Sequence, residues 1–150
     1  MLVDWALASL HHLAVFTLAG VIGCEVAMTA RAVDAATIPR LARIDAWYGV
    51  TAGAIVVIGI GRVVFGAKGP AYYLANAFFW TKMGLFVAVG LLSIAPTLAF
   101  LAWRRELRTD STFRPDAAAL NSVRRALWAE VVLFAGIPVV AAAMARGYGM

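Results

Sequence analysis

Charge, cysteine and histidine are all scarce in this chain. Of its 150 residues only 14% are Asp, Glu, Lys or Arg, while 63% are hydrophobic. Soluble domains are nearer a quarter charged and half apolar. A chain of this length cannot bury such a surplus in one aqueous core, because too much surface stays outside. The composition therefore excludes an ordinary soluble domain and points to lipid. One cysteine, Cys24, excludes an internal disulfide. A free Cys in an apolar run behaves as a small hydrophobe. Two histidines exclude a zinc site built from several imidazoles, since zinc needs three or four ligands and Cys24 is distant in sequence. Met28, Met83 and Met144 form no local cluster for copper. No Ser-His-Asp or paired-carboxylate pattern for hydrolysis is present, and "GIGRVVFGAKG" matches neither phosphate-cradling motif. No low-complexity linker divides the chain, so one domain over residues 1–150 is expected.

What the sequence has in quantity is long apolar runs. Four of them can cross about 30 Å of hydrocarbon at about 1.5 Å per residue: Trp5–Ala30, Trp47–Phe65, Phe78–Trp103 and Leu127–Ala145. They lack the alternation of strands, and lipid demands that backbone groups be satisfied within the segment. The predicted fold class is all-α, a four-transmembrane-helix bundle. Residues 1–30 have no basic n-region and are too long for the apolar part of a signal peptide, so they read as a retained helix. Residues 31–46 and 104–126 read as polar loops. Residues 66–77 read as an interfacial loop with a short surface helix.

The net charge of +5 would suggest nucleic acid in a soluble protein. Here the basic residues flank apolar runs, so anionic headgroups and topology explain them better, and no nucleic-acid partner is expected. Nine arginines fall in the 1–2 and 3–4 loops. The positive-inside rule places that side in the cytoplasm and both termini outside, in a bacterial inner membrane. Trp5, Tyr72, Tyr73, Trp80 and Tyr148 are then expected at the outer interface. Trp47, Tyr48, Trp103 and Trp128 are expected at the inner one. Gly49 and Gly53, four apart, are expected to let helices approach closely within the monomer.

Ionisable residues inside the spans cost several kcal/mol unless paired or hydrated, so each is a functional candidate. "LASLHHLAVF", residues 7–16, sets His11 and His12 in an apolar run. Arg62, Lys82 and Arg146 fall at the same outer level, with no carboxylate among them. An apolar macrocycle with propionates and an iron that takes an imidazole would suit this layer, so haem b is the expected cofactor. Adjacent helical residues point about 100° apart, so only one of His11 and His12 can serve as metal ligand to a given iron. A bis-His site would need a second copy of the chain; Met83, Lys82 or water are the ligands available within it. The inner layer holds Glu25, Asp45 and Glu130. Asp45 and Glu130 are expected near helix starts, paired with loop arginines. Glu25 lies fourteen residues from His11 on nearly the same face and is a candidate proton relay. Expected partners are the lipid bilayer, a homo-oligomer copy, and a redox partner or quinone.

Five stretches carry a family resemblance: "HHLAVFTLAG", "RIDAWYGVTAG", "GRVVFGAKGPAYYLANAFFWTKMGLF", "LLSIAPTLAFLAWRR" and the closing "AAAMARGYG". In combination they resemble a family of small bacterial integral membrane proteins, domain of unknown function 2214, over residues 1 to about 147. That resemblance implies architecture and no activity. An early histidine in span 1 and an early lysine in span 3 also resemble the four-helix membrane protoporphyrinogen oxidases and the copper-resistance D membrane proteins. In the oxidases those positions are associated with haem binding; here they would be His11 or His12 and Lys82. The chain lacks the further histidines of that pattern. The expected function is haem-dependent electron transfer or tetrapyrrole oxidation. The rivals are a transporter or channel-type subunit for a small solute, anion or metal ion, and a structural accessory subunit.

Overall fold

A computed structural model describes residues 2–149, and side chains satisfy first-turn N–H groups at three of its helices. Five helices follow in chain order: α1 (Leu2–Thr29), α2 (Thr37–Phe65), α3 (Gly69–Ala75), α4 (Ala77–Thr109) and α5 (Ala117–Ala145). Before α2, Asp34 Oδ1 accepts from the Thr37 N–H at 2.8 Å and from its hydroxyl at 2.6 Å. Pro39 sits in the first turn, where its missing N–H costs nothing. Asn76 caps α4 by accepting from Phe78 N and Phe79 N. Asp116 caps α5 by accepting from Ala119 N at 2.7 Å.

α1, α2, α4 and α5 are each long and apolar enough to cross a membrane. α1 alone has 28 residues, about 42 Å of helix against about 30 Å of hydrocarbon. The helices therefore run past the apolar windows into polar sequence. The expected loops 31–46 and 104–126 shrink to short turns, because Thr37–Ala46, Arg104–Thr109 and Ala117–Ala126 are helical. The surface helix expected within 66–77 is α3.

Among the described residues the four long helices form a ring in the order α1, α2, α4, α5, with α1 across the diagonal from α4. Neighbours are antiparallel. One end of the bundle carries the start of α1, α3 and the end of α5, and is called here the terminal end. The other carries the two arginine-rich turns. Core residues form three apolar groups along the axis. Leu41, Phe100, Trp103 and Leu127 belong to the group at the arginine-rich end. Leu18, Ile22, Tyr48 and Ile55 make the middle group, and Tyr73, Phe79 and Met144 the group at the terminal end. Large apolar side chains such as Phe16, Val57, Leu98 and Val139 stand exposed around the ring. This inverted pattern suits lipid, where apolar atoms outside cost nothing.

Two expectations about faces change. Trp5, Trp80, Trp47, Trp128 and Tyr148 are exposed, but Tyr48, Tyr73 and Trp103 point into the core. Their depth suits an aromatic belt, yet the turn of the helix sends them inward. Gly49 and Gly53 are exposed with open space beyond them, so they do not bring helices together within the chain. Close approach occurs instead at Gly59, Gly61 and Gly136, where a Cβ would stand 3.5–3.7 Å from His11, Leu7 and Leu85 respectively.

Candidate functional site

The α1–α2 contact that sets Leu7 against Gly61 sets His11 against Gly59. His11 is half-buried, and its Nδ1 is enclosed with no hydrogen-bond partner. His12 turns the other way. It is exposed, and its Nδ1 lies 2.7 Å from the Ala8 carbonyl oxygen in its own helix. The two rings lie 6.4 Å apart and nearly perpendicular, at 80°. The helical turn thus divides the pair, one imidazole for the bundle and one for the surface.

Arg62 and Lys82 join His11 at the terminal end of the interior. Both are half-buried, and both act electrostatically on the His11 ring. The Arg62 Nε–H is buried with no acceptor. Lys82 Nζ lies 5.4 Å from the Phe79 ring centroid, a cation–π contact. Arg146 does not join them. It stands exposed just past α5, where its backbone N–H donates to Ala142 and Ala143. Met83 packs on the apolar group of Tyr73, Phe79 and Met144. Cys24 is exposed rather than buried. Among the described residues, no three His, Cys, Asp or Glu side chains are grouped to hold a metal ion.

The carboxyl groups of the other half lie deeper than the sequence suggests. Glu25 is 1% exposed and Glu130 0%. Because α2 begins at Thr37 and α5 at Ala117, Asp45 and Glu130 lie inside helices rather than at their starts. Both Glu130 oxygens and one Glu25 oxygen have no hydrogen-bond partner, so Glu130 is not paired with an arginine. Asp45 accepts from the Thr97 hydroxyl at 2.6 Å. Arg124, half-buried in α5 while the other arginines of this end are exposed, spends its donors elsewhere. Its Nε–H meets the Thr29 carbonyl at 2.5 Å and its Nη2 the Arg31 carbonyl at 3.0 Å. Those carbonyls close the C-terminus of α1, which lacks intrahelical donors and favours a cation.

The sequence places Glu25, Asp45 and Glu130 in one layer; that Tyr48 and Thr97 converge with them, and that the acids face one another rather than the loop arginines, it does not show. Their spacing carries the signal once the antiparallel register is known. The register that pairs His11 with Gly59 brings Glu25 opposite Asp45. The contact of Thr29 with Arg124 brings Glu25 within about one turn of Glu130.

No curated protein and no solved structure matches this chain. The match that exists is at the level of the family: the model described as "Predicted membrane protein (DUF2214)" covers residues 3–149, in keeping with four long apolar helices, and the chain belongs to that family.

Proposed function

We propose that this membrane protein holds an anionic ligand in the terminal half of its bundle, between His11, Arg62 and Lys82. The observation that carries the reading is the buried Arg62 Nε–H, which has no acceptor. A buried donor left unmade costs about 1–3 kcal/mol, and more when charged. Beside it stand a second cation and an imidazole that also lacks a partner. An anion at this level would satisfy the donors and the charge together.

Haem b is the ligand that would use the imidazole as well as the cations. His11 would take the iron, and Arg62 and Lys82 would hold the propionates. His12, on the outer face of α1, and exposed Arg146 fall outside this set. Bound haem would supply electron transfer or tetrapyrrole oxidation, with a redox partner or quinone as the other reactant. A second reading, a site for a small anion in a transporter or channel-type subunit, has its own support. His11 packs directly on Gly59, which leaves no room for a macrocycle between α1 and α2.

The arginine asymmetry supports a terminal end outside the cytoplasm, in a bacterial inner membrane. The site would then open toward the periplasmic leaflet.

The absorption spectrum of protein purified with a haem supply separates the readings. A Soret band that His11→Ala abolishes and His12→Ala spares is the expected result. Without a Soret band the haem reading fails. The anion reading is then tested by thermal stabilisation with chloride, phosphate or a short carboxylate. No stabilisation, or stabilisation that survives Arg62→Gln, would end it.

A further inference from the structure

Glu25 from α1, Asp45 and Tyr48 from α2, Ser93 and Thr97 from α4 and Glu130 from α5 meet at one level of the bundle. Every long helix contributes. Glu25 and Glu130 are all but inaccessible, and three of their four carboxyl oxygens make no close hydrogen bond. Asp45 and Glu130 act electrostatically on Glu25, and Tyr48 stands beside Glu130 and Ser93. Arg124 of α5 is half-buried, and its bonds go to Thr29, Arg31 and Asn121. Such an arrangement is unstable with every carboxyl charged. A lone buried charge costs far more than the few kcal/mol a fold can spare, and facing carboxylates repel one another. The group that removes the charge must need almost no space. The carboxyls are not grouped for a metal ion. A proton fits.

A hollow of about 260 Å³ lies near this level. Val26, Thr29, Ala30, Arg124, Leu127 and Trp128 line it, between α1 and α5 at the arginine-rich end. Its walls end one helical turn from both acids, since Thr29 follows Glu25 by four residues and Leu127 precedes Glu130 by three. The Thr29 hydroxyl donates back to the Glu25 carbonyl at 2.7 Å, so the wall nearest Glu25 is polar.

We infer that Glu25, Asp45 and Glu130 form a proton-binding centre inside the bundle, which exchanges protons with the arginine-rich side through the α1–α5 hollow. In each step a carboxyl O–H bond breaks, water that enters from the hollow takes the proton as hydronium and carries it out, and a carboxylate stays behind. Return runs the same step in reverse. Two acids within about one turn let one proton be shared while the other carboxyl ionises. The centre lies in the opposite half of the bundle from His11, Arg62 and Lys82, and does not depend on what binds there.

Infrared spectroscopy of the full chain in lipid nanodiscs tests this directly. The carbonyl-stretch band of protonated carboxyl groups is expected at neutral pH. It should weaken on alkaline titration and lose most of its strength in E25Q/E130Q. It should shift on transfer to heavy water, more slowly once Ala30→Trp fills the mouth of the hollow. Wild-type protein with an intact helical spectrum and no such band at neutral pH would overturn the proposal. So would a band of full strength in E25Q/E130Q, or an isotope shift whose rate Ala30→Trp leaves unchanged. If the double variant does not fold, the wild-type band and its isotope shift decide the matter alone.

Discussion

The Nε–H of Arg124 reaches from α5 to the carbonyl oxygen of Thr29 at 2.5 Å, and its Nη2 continues to the Arg31 carbonyl. One guanidinium thereby closes the open end of α1 and fastens the first and last helices of the chain together. It also forms a wall of the hollow that leads toward Glu25 and Glu130.

Arg124→Ala removes both tertiary bonds and leaves carbonyls without donors. Hydrogen bonds to a charged group are worth about 1.5–3 kcal/mol each. A loss near 3 kcal/mol is expected, read as a lower midpoint in thermal or detergent-induced unfolding. Arg124→Lys should recover only part of it, because an ammonium lacks the planar fork that reaches two carbonyls at once.

Asn76 is the corresponding fastener at the terminal end. It is fully buried, caps α4 through its oxygen and donates from Nδ2 to Tyr148 at 3.0 Å. Ala77 N adds a bond to the Gly149 carbonyl, and Gly149 has φ +86° with the Phe78 ring where a Cβ would go. Asn76→Ala loses a cap and a tertiary bond, each about 1 kcal/mol. The expected result is a loss of about 2 kcal/mol and faster proteolysis at residues 146–149. Gly149→Ala should release the same segment, because it meets the ring and the left-handed backbone together.

The turn before α2 gives a pH dependence of known sign. The Thr37 hydroxyl and N–H hold the Asp34 carboxyl below its ordinary value of 3.8. A folded value below the unfolded one means stability that is fully present above the unfolded value. It is lost as pH falls below about 3.8 and through the lowered folded value. Thermal unfolding scans from neutral pH downward should therefore show a decline that begins near pH 4 and shrinks in Asp34→Asn. Asp110, held down by Thr112 in the turn before α5, contributes in the same direction.

Orientation follows from where the arginines lie. Alkaline phosphatase fused after the C-terminus is expected to be active and a cytoplasm-dependent fluorescent protein dark. The opposite pair of results would place the arginine-rich turns outside and reverse the side from which each polar layer is reached.

Much of the architecture is legible in the chain because lipid imposes a simple demand. Twenty or so apolar residues in a row have few other uses, and four such runs predict four helices. Helix ends were less legible. Apolar windows mark the hydrocarbon, not the helix, so Asp45 and Glu130 read as near termini although they lie turns inside. The histidine layer was legible as a level. Which ring faces inward was not, because adjacent residues differ by about 100° and only packing on Gly59 selects His11.

The sequence by itself determined that this chain resides in a membrane, crosses it four times and concentrates its arginines at one end. Those properties depend on composition and run length, which need no partner helix to take effect. Only the tertiary structure decided that His11 meets Arg62 and Lys82 while His12 and Arg146 do not, and that Glu25, Asp45 and Glu130 turn inward together rather than toward the loop arginines. Such meetings depend on the rotation and register of packed helices. A single contact, Leu7 on Gly61 or Arg124 on Thr29, sets that register, and its consequence appears two or more turns away.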